Sequence, residues 1–225
     1  ESVEASADGK TYTFKLRPDS KYSDGTPLTA KNFEYAWKRL ADPELGGEYQ
    51  FIGCDIIKGY SELAATTCQG KTITETQALD LEQLRADFGV KAVDDTTLTI
   101  ELVNPAPYFL SIAALWVGVP TREEDAGNAT ALATADPASY VGNGPFKLVT
   151  HENGQSAVFE ANENYSGPNG PVKLKSVEFS FITEGQVAFQ AYQNGELDVI
   201  GVAAEDLAAV EGDPVMSKEA HDVQG

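Results

Sequence analysis

Tyr12, Phe14 and Leu16 alternate with Thr11, Thr13, Lys15 and Arg17, a period of two that predicts a strand over residues 11–17 with one face on a core and one in water. Pro18-Asp19 and Ser23-Asp24-Gly25 follow as turn chemistry, because Pro presets φ, Asp bonds back to nearby backbone, and Gly accepts a positive φ. The period then changes. Phe33, Ala36, Trp37 and Leu40 fall at i, i+3, i+4 and i+7, one apolar stripe of a helix capped by Thr29. Lys38 and Arg39 suit the negative end of its dipole, and Asp42-Pro43 stops it.

Further along, "ITETQALDLEQLRADF", Ile73 to Phe88, places Leu81, Leu84 and Phe88 at helical spacing in a charged background and predicts one surface helix, capped by Thr74 or Thr76. "GVKAVDDTTLTIEL" predicts a hairpin: Val90 to Val93, a turn at Asp94-Asp95, and Leu98, Ile100 and Leu102 on a return strand that pairs with the first one. The apolar run Tyr108 to Pro120, "YFLSIAALWVGVP", is expected to be buried. A change of composition between Thr121 and Tyr140 marks a domain boundary. A second sheet starts beyond it, with Phe146 and Leu148, a turn at Glu152-Asn153-Gly154, Val158 and Phe159, and then Val177, Phe179 and Phe181. Thr183 is expected to cap a helix through Val187, Ala188, Ala191 and Tyr192 that ends at Asn194-Gly195. "ELDVIGV" then reads as a short strand, and "AAEDLAAVEGDPVM" as a short helix stopped by Gly212, Asp213 and Pro214.

Charge narrows the partners. Sixteen basic against thirty-five acidic side chains in 225 residues give a formal charge of −19, which repels a phosphate backbone and an anionic membrane alike, so no nucleic-acid partner is expected. No run approaches the ~18 apolar residues of a membrane-crossing helix. The opening "ESVEASADGK" lacks the basic and apolar regions of a signal peptide, and a trimmed or partial chain is expected. Cys54 and Cys68, fourteen residues apart, admit either a disulfide or a pair of buried thiols. The disulfide is favoured because Gly53, Gly59 and Gly70 mark the segment as a surface excursion, and it implies an oxidising compartment.

Catalytic chemistry is missing from the pattern. His151 and His221 are seventy positions apart with no metal-ligand spacing around either, and no metal or cofactor is expected. "GNGPF" at Gly142 lacks the strand–glycine–helix order of a dinucleotide loop, and neither a nucleophile elbow nor a phosphate loop occurs. Asp94-Asp95 and Glu123-Glu124 lie in turn or surface contexts, where solvation is the ordinary role.

The stretch "DGKTYTFKLRPDSKYSDGTPLTAKNFEYAWKRLADP" resembles the signature region of the family 5 extracellular solute-binding proteins, the oligopeptide- and dipeptide-binding components of ABC importers. "GVKAVDDTTLTIEL", "NPAPYFL", "GNGPFKL", "ANENYSGP" and "YQNGELDV" continue it in the family's order, from Asp8 to about Val202, with Tyr22 where the family usually has Trp or Phe. The resemblance implies an α/β (mixed α+β) fragment of a type II periplasmic-binding-protein-like lobe. Residues 1–120 correspond to an accessory domain inserted in the first lobe and residues 121–225 to an incomplete core domain, with the second lobe absent. It further implies a non-enzymatic, monomeric binding protein, lipid-anchored at the extracellular face of the membrane or periplasmic, that captures peptides and delivers them to ABC permease subunits by lobe closure. Oligosaccharide, nickel complex and haem are other solutes bound within the family; an acidic-residue hydrolase and a surface interaction module are the readings outside it. The residues expected to face the ligand are Tyr49, Gly201 and Val202, with Trp116 as the fourth.

Overall fold

The computed structural model describes residues 2–44, 48–126, 136–168 and 170–219. His221 lies outside these residues, as does the middle of the composition change between Thr121 and Tyr140. The chain divides into two units, residues 1–149 with 159–177, and residues 150–158 with 178–225.

In the first unit, β1 (Ser2–Ala5), β2 (Thr11–Lys15), β3 (Val90–Asp94) and β4 (Thr97–Glu101) form an antiparallel sheet in the order β1-β2-β4-β3. The expected pairing of the hairpin with the first strand is present, with Tyr12 opposite Ile100 and Phe14 opposite Leu98. Alternation puts Tyr12, Leu98, Ile100 and Val90 on the buried side. β1 is exposed along its whole length, although Val3 and Ala5 alternate with Ser2 and Glu4, and four residues are too short a pattern to announce a strand. α1 (Ala30–Ala41) lies against this sheet and buries Ala30, Trp37 and Ala41 in one core with Ile57, Tyr60, Leu63, Phe88 and Phe109. Its first turn is closed by the Asn32 side-chain oxygen, which accepts from the Thr29 N–H at 2.8 Å. Glu34 ties the helix to β3 by accepting from the Ala92 N–H at 2.7 Å.

Four short helices follow: α2 (Tyr60–Leu63), α3 (Ala65–Gln69), α4 (Ile73–Gln77) and α5 (Leu81–Asp87). The single helix expected over residues 73–88 is thus two. Asp80 breaks it because its carboxylate accepts from the Gln83 N–H at 3.1 Å and starts a new helix, and Thr72 rather than Thr74 or Thr76 caps the first piece, exchanging bonds with Glu75. Phe88, past the helix end, is fully buried.

The run Tyr108 to Pro120 also departs from expectation. α6 (Phe109–Ala113) and a 3₁₀ turn at Trp116–Gly118 bury Phe109 and Gly118, while Tyr108, Leu110, Leu115, Trp116 and Val119 are exposed. An uninterrupted apolar run carries no facing information once it coils, and here only one side of it meets the core. α7 (Glu123–Ala126) follows.

The second sheet has the order β5 (Phe146–Glu152), β6 (Ser156–Ala161), β7 (Ser176–Ser180), its strands divided between the two units. In the second unit, α8 (Gly185–Gln193) starts after Glu184, so Thr183 is not its cap, and Gly195 leaves it with φ 75°. The strand expected at Glu196–Val202 is absent: the segment bends at Glu196 and Asp198, and no described strand pairs with it. α9 (Leu207–Gly212) ends as expected at Asp213, and α10 (Met216–Glu219) follows it.

Candidate functional site

Tyr49 follows the loop that leaves α1, immediately ahead of a 3₁₀ turn at Gln50–Gly53. That turn is anchored from below. The buried Gln50 donates through Nε2 to the Asp42 carbonyl at 3.0 Å and accepts on Oε1 from the Thr67 hydroxyl at 2.7 Å, so both ends of its amide are used. Asp42 is itself held by Arg85, whose Nε donates to its carboxylate at 2.7 Å while Nη2 reaches Glu44 at 2.5 Å. The guanidinium is held above its ordinary pKa chiefly by the hydrogen bond to Asp42. Gly53 admits the Tyr60 ring so closely that a Cβ there would meet it at 2.3 Å. One residue later the Cys54–Cys68 disulfide, with Cα atoms 5.5 Å apart, joins the turn to α3. The disulfide reading of the two cysteines is the one the fold adopts.

Trp116 comes from the segment that follows α6. It opens the 3₁₀ turn whose Gly118 presses on the buried Trp37: a Cβ at Gly118 would lie 3.1 Å from Trp37 Cζ2 and 3.1 Å from the Ala113 carbonyl. The Tyr49 and Trp116 rings then meet edge to face, centroids 4.5 Å apart at 86°, and Phe51 lies 6.1 Å from Tyr49. Despite this contact Tyr49 remains 40 % exposed, Phe51 58 % and Trp116 60 %. Leu115 and Val119 extend the exposed apolar surface along the chain. Rings held from behind by hydrogen bonds, a disulfide and a buried tryptophan, with their faces left in water, form a preorganised surface for apolar or stacking contact.

Thus two of the expected ligand-facing residues, Tyr49 and Trp116, come together in the first unit. Gly201 and Val202 belong to the second unit: Gly201 has open space around its Cα and Val202 is partly exposed. Phe51 was not singled out by the sequence reading. Its placement two residues beyond Tyr49, in an aromatic pair shortly followed by Gly53, is the signal that could have found it.

A second feature explains the density of turn residues at Ser23–Thr26. Arg122 Nη1 donates to Asp24 at 2.6 Å and to the Thr26 hydroxyl at 3.2 Å, its Nη2 donates to Asp125 at 2.7 Å, and the guanidinium carbon stands 5.4 Å over the Tyr22 ring. Burial works to raise the Asp24 carboxyl, but hydrogen bonds from Thr26 and Arg122 outweigh it and hold the group below its ordinary range. The Tyr22 hydroxyl is pushed upward by burial. The network fixes a turn and presents no acid or base to solvent in a reactive arrangement. Among the described residues no His, Cys, Asp and Glu side chains group in a way that would hold a metal, and no helix is long and apolar enough to cross a membrane.

The model of the bacterial extracellular solute-binding proteins, family 5 middle, matches residues 1–224. The chain is 37 % identical over 217 residues to the oligopeptide-binding protein OppA of Bacillus subtilis (strain 168), an alignment that covers 96 % of this chain and 36 % of that protein. It is 36 % identical over 206 residues to the dipeptide-binding protein DppE of the same organism, covering 91 % and 34 %. Among solved structures it is similar to the substrate-binding domain of an oligopeptide ABC transporter from Bacillus anthracis str. Ames, with TM-score 0.79, 32 % identity, and 95 % and 38 % of the two chains covered. Listeria monocytogenes OppA bound to peptide gives TM-score 0.78 at 27 % identity, with 95 % and 39 % covered. The chain spans about a third of the length of the relatives it matches.

Proposed function

Because the chain belongs to the family 5 bacterial extracellular solute-binding proteins, we propose that it is part of the peptide-capturing component of an ABC importer, taking oligopeptides or dipeptides outside the membrane and passing them to the permease. The observation that carries this reading is the solvent-facing Tyr49–Trp116 pair with Phe51 beside it. Aromatic rings with few rotatable bonds give contact area at low entropic cost and accept side chains of varied shape, as a protein serving many peptides requires. The relatives named as oligopeptide- and dipeptide-binding proteins support peptide over the family's other solutes.

In this reading residues 1–120 are the accessory domain of the first lobe and residues 121–225 part of its core domain, and the remaining length of the relatives supplies the second lobe. Gly201 and Val202, on the irregular segment after α8, then face the ligand, and closure of the lobes buries the peptide. The family's members are binding proteins, and no bond-breaking step is assigned to this one. It works as a monomer at the extracellular face of the membrane, lipid-anchored, or in the periplasm.

Calorimetry with a mixed peptide library on the full-length protein tests the site. Truncation of a central aromatic anchor costs on the order of 1.4 kcal/mol or more, so Tyr49→Ala and Trp116→Ala are each expected to weaken binding about tenfold. Unaltered affinity in both variants would remove the cluster from the site. The 225-residue chain alone is expected to bind the same library weakly or not at all, since enclosure from both sides supplies most of a pocket's contacts; micromolar binding by it would contradict the two-lobe reading.

A further inference from the structure

The first unit contains a cavity of about 190 Å³ beside the Pro18–Gly25 turns, and it shares no residue with the Tyr49–Trp116 cluster. Its charged lining is one-signed. Arg17 and Lys21 both border it and no Asp or Glu does, in a chain whose formal charge is −19. Among the described residues neither cation has an ion-pair partner: the carboxylates bonded to basic groups are taken by Lys38, Lys58, Arg85, Arg122 and Lys147. The Arg17 Nε is buried and has no hydrogen-bond acceptor. A buried donor without a partner is costly, more so for a charged group, so an acceptor placed there is favoured.

The rest of the lining says what kind of acceptor fits. Leu16, Leu28 and Phe33 give an apolar wall, and Ser20 and Asn143 supply neutral hydrogen-bonding groups. With about 190 Å³ the space takes several waters, or the carboxylate end of a small organic anion. A guanidinium binds a planar carboxylate through parallel N–H donors, with Lys21 as a second, mobile charge. A fully hydrated inorganic anion, by contrast, gains nothing from a wall of Leu and Phe.

We propose that this cavity is a binding site for a small organic carboxylate, its oxygens on Arg17 and Lys21 and its short hydrocarbon part against Leu16, Leu28 and Phe33. Occupancy of the site is independent of what the aromatic cluster binds. Two sources offer the same chemistry, a free short-chain acid and the C-terminal carboxylate of a peptide residue.

The test follows the Arg17 Nε–H resonance of the nitrogen-labelled 225-residue chain by NMR during titration. Butyrate is expected to shift it saturably, and butyramide, of the same shape without the charge, is expected to leave it unmoved. Arg17→Gln is expected to weaken butyrate binding about tenfold or more and Lys21→Gln about threefold, read for the first variant by saturation transfer to the ligand, because charge-assisted bonds are worth about twice neutral ones. Arg17→Lys should recover part of the loss. Lys21 is exposed, so Lys21→Glu keeps the fold and decides the question if the Arg17 variants do not fold; it should abolish binding. Competition by N-acetylvaline but not by N-acetylvalinamide would assign the site to peptide C-termini, and its absence to free acids. Equal responses to butyrate and butyramide, tighter binding of inorganic phosphate than of butyrate, or wild-type affinity in Lys21→Glu would each overturn the proposal.

Discussion

Trp37 shows how one side chain couples the core to the surface. It sits on the inner face of α1 with 2 % of its surface exposed, packed among Tyr12, Ile57, Phe109 and their neighbours. Its ring also bears on Gly118, which carries the turn that presents Trp116. Removing it opens a cavity that rigid neighbours on the sheet cannot fill. Trp37→Ala is therefore expected to destabilise the fold by about 3–5 kcal/mol, measured as a lower urea midpoint at unchanged slope. A midpoint equal to that of the wild type would mean that the helix does not depend on this packing. Trp37 was legible from the sequence because its spacing from Phe33 and Leu40 made one stripe. The bearing of its ring on Gly118 was not, since nothing in a period of 3.6 says which distant residue meets the far edge of an indole.

Among the elements, those with strict periodicity were readable and those defined by their neighbours were not. β2, β4 and α1 carry alternation or a stripe along their whole length, and the structure places them near the expected bounds. The split between α4 and α5 turns on the Asp80 carboxylate choosing a local N–H over solvent, a competition that a hydrophobic pattern does not record. The run Tyr108 to Pro120 was assigned to the interior on composition alone. Its exposed half, Trp116 included, is the part that meets Tyr49. Tyr49 and Trp116 could each be named from the chain, but their contact is a tertiary relation sixty-seven positions long, which no periodicity records. The Cys54–Cys68 link belongs to this scale as well. A closed loop of this length removes roughly 3 kcal/mol of unfolded-state entropy in the simplest model. The double variant Cys54→Ser, Cys68→Ser is expected to lose about that much stability, and to show faster hydrogen exchange at Gln50–Gly53 than elsewhere in the first unit. Uniform exchange across the unit would mean that Gln50 alone, through Asp42 and Thr67, holds the turn in place.

For the molecule as a whole, the family match places the chain among the bacterial extracellular solute-binding proteins, and a charge of −19 repels a phosphate backbone. The one exposed surface built from both of the named aromatics lies in the first unit, with its supports drawn from α1, the disulfide and the Trp116 turn. If a peptide rests there, a short peptide carrying a benzophenone side chain will, on irradiation with the full-length protein, attach to the residues it touches. Mass spectrometry of the proteolysed adduct is expected to place the label on Glu48–Gly53 and Leu115–Val119, in an amount that excess unlabelled peptide suppresses. Suppressible label found only on other segments, with Tyr49, Phe51 and Trp116 unmodified, would contradict the assignment of this cluster as the peptide-contacting surface.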